Sequence, residues 1–212
     1  MNDVMARRET LISIVIPAFN EEGNIPRLER ELLLAVEPLS YSFEFIVIDN
    51  GSTDATGELV KEICARDQRW KYLRFSRNFT VEMSITAGYH YAAGEAIVVL
   101  YSDLQDPPEV IPKLIEKWLE GYDVVYGVRT VRPGDAAWRN KAVKIAYRLI
   151  GWFSDVPIPN DAGDFRLITR QVRDALERCP EQNRYMRGLI AWLGFRQIGV
   201  AYERQPRNAG ES

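Results

Sequence analysis

Short, strongly apolar runs alternate with segments of helical periodicity along this chain of 212 residues. The runs are rich in β-branched and aromatic residues, and runs that are apolar at nearly every position are typical of parallel strands covered on both faces. Alternation of this kind implies right-handed crossovers between neighbouring strands. We therefore predict an α/β fold with an open, mostly parallel sheet and helices on both faces. The predicted strands are Ile12–Ile16, Phe43–Ile48, Tyr72–Phe75, Ala96–Leu100 and Val124–Val128.

The regions between the strands predict helices and set the domain limits. Apolar residues at helical spacing occur from Ile25 to Leu39, and again from Val110 to Leu119 after two prolines that favour a helix start. Residues 1–10 are polar and are expected to form a flexible arm, so that residues 11–212 make up one folded domain. Residues 129–161, which are rich in Pro, Gly and Arg at their margins, predict a mobile loop plus an extra helix.

Composition excludes several classes of function. The net charge of -3 gives no global basic field, so we expect no nucleic acid partner. Cys64 and Cys179 lack metal-ligand spacing and are expected to be reduced thiols of a cytosolic protein. The single histidine, His90, is expected to be buried in a packing role. We find neither a signal peptide nor an apolar run near the roughly 20 residues of a membrane-spanning helix, and interpret the chain as soluble and cytosolic.

Each of the first four predicted strands runs directly into a polar cluster. Ligands of open α/β sheets bind at the carboxyl ends of the strands, so the clusters predict one site. Ser52 and Thr53 have an equally good interpretation as caps of the following helix, whereas Asp49 and Asp103 end apolar strands, where an unpaired carboxylate is costly. The clusters are Pro17–Glu22, Asp49–Asp54, Ser76–Asn78 and Ser102–Asp106.

The residue types in these clusters point to a metal-bound diphosphate. No strand is followed by Gly-x-Gly-x-x-Gly or by Gly-x-x-x-x-Gly-Lys-Ser/Thr, which argues against a dinucleotide dehydrogenase and a P-loop NTPase. Carboxylate and carbonyl oxygens suit a hard cation such as Mg²⁺ or Mn²⁺, usually shared with substrate phosphates. A nucleotide diphosphate carried on such an ion is the ligand that these side chains favour.

At the level of whole motifs, the sequence resembles family-2 glycosyltransferases of the GT-A fold, in particular the polyprenyl-phosphate (bactoprenol or dolichol phosphate) sugar transferases. The resemblance covers the chain from about Leu11 to its last residue. It specifies the family and not one donor sugar. The motifs that carry it are Ile16–Glu22, Asp49–Asp54, Ser76–Phe79, Thr86–Gly88, Asp103–Glu109, Gly163–Leu167 and Arg207–Ser212.

The resemblance implies roles for individual residues. Asp103 and Gln105 are expected to hold Mg²⁺ or Mn²⁺, and Asp164 and Arg166 to face the acceptor. Asp103, Asp164 and Arg166 are the expected catalytic residues. The nucleotide-sugar donor is expected to contact Pro17, Phe19, Glu21, Asp49, Ser52, Arg77 and Asp103.

Three positions depart from the family pattern. Tyr101 stands where the first Asp of Asp-x-Asp-Leu-Gln is usual, Asn50 where a second Asp is common, and Thr80-Val81 where Gly-Lys is usual. A neutral phenol ligates Mg²⁺ poorly, so the change at Tyr101 bears directly on metal affinity. The family also continues past Ser212 into membrane helices, so we interpret the chain either as a truncated form or as a naturally soluble variant.

The resemblance implies an inverting transfer of a sugar from a UDP-glucose-like donor to a polyprenyl phosphate at the cytoplasmic face of the membrane. A phosphate monoester has a second pKa of about 6, so this nucleophile is already mostly anionic and needs a cationic clamp more than a strong base. Arginine forks match phosphate geometry. Asp164 is assigned an orienting or proton-accepting role, with a structural ion pair to Arg166 as the alternative. The expected clamp is Arg129, Arg132, Arg166 and Arg207.

Residues 138–153 combine an apolar face with Lys141, Lys144 and Arg148, the pattern of a helix that lies on a membrane surface. An ordinary surface helix is the alternative. Two other functions stay open: a transferase with a soluble or polysaccharide acceptor, and a non-catalytic nucleotide-sugar-binding protein, which Tyr101 motivates. The oligomeric state is also open, and a homo-oligomer is compatible with the sequence.

Overall fold

The computed structural model describes residues 10–130, 162–181 and 184–205. Most of the predicted arm, Arg132, the predicted helix at 138–153, and Arg207 with the C-terminal motif lie outside the described residues. In the described part, one sheet contains seven strands in the order β3-β2-β1-β4-β6-β5-β7. The strands are β1 (Leu11–Ala18), β2 (Ser42–Asp49), β3 (Trp70–Arg74), β4 (Ala96–Val99), β5 (Val124–Arg129), β6 (Ala162–Thr169) and β7 (Gln197–Tyr202).

The sheet is mostly parallel, as predicted. Strands β1 to β4 pair in parallel, β5 pairs in parallel with β7, and β6 runs antiparallel between β4 and β5. Neither β6 nor β7 is among the predicted strands. Asp164 and Arg166 interrupt the apolar run of β6, and β7 is a partly exposed edge strand, so neither gives the continuous apolar signal of a buried parallel strand.

Helices cover both faces of the sheet, which explains why β1, β2 and β4 are apolar at almost every position. On one face α1, α2 and α4 pack against Ile12, Ile14 and Ile16, and on the other α3, α5 and α6 pack against alternate residues such as Val15. The helices are α1 (Ile25–Val36), α2 (Thr56–Arg66), α3 (Val81–Tyr91), α4 (Ile111–Leu119), α5 (Arg170–Glu177) and α6 (Met186–Trp192), and a 3₁₀ turn at Pro108–Val110 precedes α4.

One expectation about packing is wrong. His90 is not buried: 69% of its side chain is exposed, and its Nδ1 lies 3.1 Å from a carboxylate oxygen of Glu177 on α5. Tyr89 occupies the inward-facing position of that helical turn instead. Cys64 and Cys179 are free, as expected. None of the helices in the described ranges is long and apolar enough to cross a bilayer.

Candidate active site

The polar clusters after β1, β2, β3 and β4 lie at one edge of the sheet, because these four strands run in parallel. The chain turns sharply there. Asn20, Gly51 and Leu104 have positive φ angles of 52°, 79° and 54°. A Cβ atom at Gly51 would lie 2.6 Å from the carbonyl carbon of Arg77, so only glycine lets the loop after β2 touch the loop after β3. The prediction that the clusters share one edge is confirmed.

Asp49 lies beneath this edge and forms hydrogen bonds to the loop after β2 and to β3. Its carboxylate is fully buried and accepts hydrogen bonds from the Ser52 amide at 2.7 Å and the Tyr72 hydroxyl at 2.6 Å, with the Arg74 Nε 3.7 Å away. Burial and the bond to Asp49 raise the pKa of Tyr72 to about 12, so the phenol stays a donor. Asp49 therefore supports the loop from below; its predicted contact with the nucleotide stays a prediction.

Ser52 and Thr53 link the loops after β1 and β2. The Ser52 hydroxyl accepts the Asn20 amide at 3.0 Å, and the Thr53 amide donates to the Asn20 side chain at 2.9 Å. Helix α2 begins after Ala55 without a side-chain cap, so the interpretation of these two residues as helix caps is wrong. The Ser52 side chain and the Thr53 backbone instead join the loop after β2 to Asn20 in the loop after β1.

A cleft of about 310 Å³ opens above these loops. Asn50 fixes one wall: its amide nitrogen donates to the Phe79 carbonyl at 3.2 Å, and its amide oxygen accepts the Phe79 N–H at 2.8 Å. An ionised aspartate could not donate the first of these bonds, which gives a structural reason for Asn50. The lining includes the predicted residues Pro17, Phe19, Glu21 and Asp103, together with Ala18, Asn50, Asn78, Phe79, Val81, Ser84, Tyr101 and Ser102.

Arg77 lies outside this cleft. Its guanidinium stacks 3.8 Å from the centre of the Phe79 ring and lines a wider groove of about 1090 Å³ that shares Asn78 and Phe79 with the cleft. Met83 and Tyr185 line the same groove. Arg77 therefore lies in a groove that meets the cleft at Asn78 and Phe79, and its predicted contact with the nucleotide stays a prediction.

Asp103 and Gln105 lie in the turn after β4. One oxygen of Asp103 accepts the Gln105 amide at 3.1 Å, and the neighbouring Ser102 hydroxyl donates to the Pro17 carbonyl at 3.0 Å. No group of three or more His, Cys, Asp or Glu side chains is arranged to hold a metal in the described ranges. One carboxylate and one amide suit a hard cation whose remaining ligands are water and substrate phosphate, rather than a site closed by protein alone.

Asp164, at the start of β6, is the centre of a charged cluster beside the cleft. Arg187 of α6 grips its two oxygens at 2.8 and 2.7 Å, the Tyr101 hydroxyl donates to it at 2.9 Å, and Arg166 lies 3.4 Å away. Arg166, only 4% exposed, donates to the Gly163 carbonyl at 2.8 Å. The alternative pairing of Asp164 with Arg166 is thus found in part, but Arg187 is the main partner.

The charges of this cluster decide its protonation. Burial alone would raise the pKa of Asp164, but the hydrogen bonds from Arg187 and the charges of Arg187 and Arg166 hold it below its ordinary value. Burial and the nearby Asp164 carboxylate raise the pKa of Tyr101. Asp164 is therefore an anion and Tyr101 a neutral donor. Arg187 is absent from the predicted site; its signal in the sequence is a lone arginine in the apolar stretch 185–193.

Arg129, at the end of β5, lies next to this cluster. Its Nε donates to the Tyr202 hydroxyl at 3.3 Å, its Nη2 is 3.7 Å from Asp106, and a Cβ atom at Gly163 would be 3.7 Å from its guanidinium. Tyr202 also donates to Asp106, whose pKa is raised by burial. Three arginines, Arg129, Arg166 and Arg187, therefore converge around the start of β6. Arg132 and Arg207, the other predicted clamp residues, are not described.

An open α/β sheet with a polar cleft at its carboxyl edge defines a ligand-binding domain. The sequence profile of "Glycosyl transferase family 2" matches residues 13–176 of the chain. The chain therefore belongs to glycosyl transferase family 2.

Named relatives fit this family. The chain is 44% identical over 205 residues to the uncharacterized glycosyltransferase YkcC of Bacillus subtilis, covering 97% of this chain and 64% of the relative. It is 39% identical over 201 residues to the prophage bactoprenol glucosyl transferase homolog of Escherichia coli, covering 95% and 66%. The chain thus spans about two thirds of the length of these relatives.

Solved structures share the fold. Glucosyl-3-phosphoglycerate synthase of Mycobacterium tuberculosis superposes with a TM-score of 0.61 at 23% identity, covering 98% of this chain and 76% of that one. The mannosyltransferase PcManGT of Pyrobaculum calidifontis, solved with GDP-Man and Mn²⁺, gives 0.61 at 20% identity, covering 92% and 55%. Both likenesses confirm the GT-A architecture that the motifs predict.

Proposed function

We propose that the chain is the catalytic domain of an inverting glycosyltransferase that moves a sugar from a UDP-glucose-like donor to a polyprenyl phosphate at the cytoplasmic face of the membrane. The names of the relatives support the acceptor, since those from Escherichia coli and Shigella phage SfV are bactoprenol glucosyl transferases or homologs of them. The observation that carries the proposal is the convergence of Arg129, Arg166 and Arg187 beside the cleft that Asp103 lines.

The donor occupies the cleft in this proposal. The Phe19 ring, 40% exposed at the cleft wall, offers a stacking surface for the base, and Pro17 and Glu21 complete that wall. Asp49 and Ser52 act from beneath by holding the loops, and Arg77 is proposed to reach the donor from the adjoining groove. The donor's diphosphate then lies next to Asp103.

Asp103 and Gln105 would hold Mg²⁺ or Mn²⁺ together with oxygens of the diphosphate. When bound, the cation supplies positive charge to the departing diphosphate. In the turn after β4, Asp103 is the carboxylate that lines the cleft, whereas the Tyr101 hydroxyl is bonded to Asp164 and the Asp164 carboxylate to Arg187. Asp103 is therefore the residue on which donor turnover depends most.

The acceptor phosphate approaches the other side of the cleft. Its oxygens are already anionic near pH 7, so the chain must bring two anions together rather than remove a proton. Arg129 and Arg166, with Arg132 and Arg207 from the segments that are not described, are proposed to neutralise the acceptor phosphate. Asp164 orients these groups. A single displacement at the anomeric carbon inverts its configuration, as the proposal requires.

Membrane association is proposed for the segment at 129–161. Its lysines and arginine at 141, 144 and 148 would contact anionic headgroups, and its apolar residues would enter the headgroup layer. The relatives named for bactoprenol support an acceptor that is itself a lipid.

The test is a transfer assay with UDP-[¹⁴C]glucose, Mn²⁺ and undecaprenyl phosphate in detergent. We expect label to enter the organic phase with the wild-type chain, and Asp103→Ala to lose turnover at least 100-fold while its circular dichroism stays unchanged. Label that enters only a water-soluble product would overturn the lipid acceptor. Tight donor binding, measured by calorimetry, without turnover would instead favour the non-catalytic nucleotide-sugar-binding protein.

A further inference from the structure

Tyr101 connects two parts of the site that come from different strands. It follows β4 and lines the cleft together with Asp103, two residues later. Its hydroxyl crosses to β6 and donates to Oδ2 of Asp164 at 2.9 Å. The same residue therefore lines the proposed donor cleft and contacts Asp164, which is proposed to serve the acceptor side.

The Asp164 carboxylate is held by Arg187, by Tyr101 and, at the longer distance of 3.4 Å, by Arg166 of its own strand. The Arg187 Nε donates to Oδ1 and Nη2 to Oδ2, from α6, while Tyr101 donates to Oδ2 from the end of β4. A carboxylate that is bonded to one guanidinium alone can still move together with the arginine side chain. The bond from Tyr101 comes from the end of β4 and therefore fixes the orientation of the carboxylate relative to Asp103 and the cleft.

The type of side chain at this position matters for the same reason. A carboxylate at position 101 would face the ionised Asp164 across a partly buried space, and two anions at this distance repel. The phenol is neutral and donates, so it allows Asp164 to remain ionised against Arg187. The hydroxyl of Tyr101 therefore has a role of its own, as a hydrogen-bond donor to Asp164, in addition to the packing of the ring.

We propose that Tyr101 is a positioning residue for sugar transfer, whose hydroxyl holds the Asp164 carboxylate, jointly with Arg187, in the orientation used on the acceptor side. The inference rests on the proposed function, since it presumes that Asp164 serves the reaction. It adds a residue that acts through Asp164 rather than on the substrate or the metal.

The experiment is a double-mutant cycle on the full chain, using Tyr101→Phe, Asp164→Asn and the double variant. We measure kcat and donor KM in transfer to undecaprenyl phosphate, and in hydrolysis of UDP-glucose, which needs no acceptor. Tyr101→Phe should lower kcat about tenfold and leave donor KM within about twofold, because one hydrogen bond to an ionised group is lost. In the Asp164→Asn background the same change should have no further effect.

The matched control is Tyr41→Phe. Tyr41 lies before β2 at the other end of the sheet, and its buried hydroxyl has no hydrogen-bond partner among the described residues. The same chemical change there should leave kcat and KM unaltered, which separates the role of the Tyr101 hydroxyl from general effects of removing a phenol.

Three outcomes would overturn the inference: wild-type kcat in Tyr101→Phe, multiplied losses in the double variant, or a change confined to donor KM, which would make Tyr101 a donor-binding residue. If the wild-type chain hydrolysed UDP-glucose but did not transfer glucose, the proposed polyprenyl-phosphate acceptor would be wrong. The double-mutant cycle, measured with the hydrolysis rates, would still decide the role of Tyr101. If the wild-type chain showed neither hydrolysis nor transfer, both proposals would be overturned.

Discussion

Single residues at the cleft show how a departure from a family motif is accommodated. Asn50 uses both functions of its amide, one to donate to Phe79 and one to accept from it. Tyr101 donates to Asp164 and carries no negative charge itself. In the turn after β4, Asp103 is then the carboxylate that lines the cleft. Both residues supply a hydrogen-bond donor at a position where the family resemblance leads us to expect an aspartate, so the site carries less negative charge than that expectation gives it.

The metal site can be tested by Tyr101→Asp. A second carboxylate two residues before Asp103 adds a charged ligand, so we expect Mn²⁺ to bind about tenfold more tightly in the presence of UDP. Sugar transfer should nevertheless fall, because the Asp164 carboxylate loses its donor and gains a negative neighbour. Titration calorimetry measures the first effect and the transfer assay the second.

Tyr101→Asn is the control for that experiment, since it removes the ring without adding charge and should leave Mn²⁺ affinity as it is. Equal affinities in the Asp and Asn variants would place the cation away from the turn after β4. A gain in both affinity and transfer would contradict the role assigned to the Tyr101 hydroxyl.

At the level of elements, α3 is positioned by its contact with the central strand. A Cβ atom at Gly88 would lie 2.1 Å from Cγ1 of Val15 on β1, so only glycine lets the helix approach this closely. The close approach brings the N-terminal end of α3, with Val81 and Ser84, to the cleft. Packing of one helix thus sets one wall of the candidate active site.

Gly88→Ala should therefore destabilise the fold by about 2 kcal/mol, the order found when a methyl group is forced into a well-packed core. Urea unfolding followed by circular dichroism measures this loss. Val15→Ala removes the clashing methyl groups, so it should recover part of the stability in the Gly88→Ala background although it destabilises the wild type. Strictly additive losses would show that the helix does not depend on this contact.

The amino ends of the strands are held by Glu44 of β2. Its oxygens accept the Ser13 hydroxyl at 2.5 Å, the Lys71 ammonium at 2.5 Å and the Ala93 amide at 2.7 Å, which link β1, β3 and the segment before β4. Burial would raise the pKa of Glu44, but these bonds outweigh burial and leave the pKa lowered. A lowered pKa in the folded state means that the carboxylate stabilises the fold above its unfolded pKa.

The free energy of unfolding should accordingly fall as the pH drops below the ordinary glutamate value of about 4.5 and through the lower folded pKa. Glu44→Gln removes this ionisation, so its unfolding free energy should depend less on pH between about pH 5 and pH 3. Urea titrations at several pH values in this range compare the two proteins. Parallel pH profiles would mean that Glu44 has the same pKa in the folded and unfolded states.

The burial of each strand or helix determines whether the sequence predicts it. The first five strands give nearly continuous apolar runs because the sheet is covered on both faces, and α1 and α4 give a clear helical period. Strand β6 does not, since it carries Asp164 and Arg166, and the partners of these side chains come from α6 and the turn after β4. Tertiary pairs of this kind leave no local pattern, which is why Arg187 is missing from the predicted site. The prediction that His90 is buried fails because the inward-facing residue of that turn of α3 is Tyr89.

On the scale of the whole molecule, the turn after β4 joins two halves of the sheet. The loops after β1 to β4 line the cleft, whereas β5, β6 and α6 supply the arginines around Asp164. Contacts from Tyr101 to Asp164, from Tyr202 to Asp106 and from the Gln205 amide to the Gln105 carbonyl at 2.9 Å tie the halves together at the turn after β4. A ligand bound at that turn should therefore stabilise the molecule as a unit.

This coupling predicts a thermal shift with the right donor. A ligand present at about 100 times its Kd stabilises the folded state by about 2.7 kcal/mol, which raises Tm by several degrees in a domain of this size. We expect a UDP-sugar with Mn²⁺ to give a larger shift than GDP- or dTDP-sugars. Phe19→Ala should lose the shift, because we propose that the exposed ring stacks on the base. Leu34→Ala changes an exposed residue of α1 that does not line the cleft, and should keep the full shift. Equal shifts in Phe19→Ala and Leu34→Ala would place the nucleotide outside the cleft, and no shift with any donor at any Mn²⁺ concentration would contradict a donor site at this edge of the sheet.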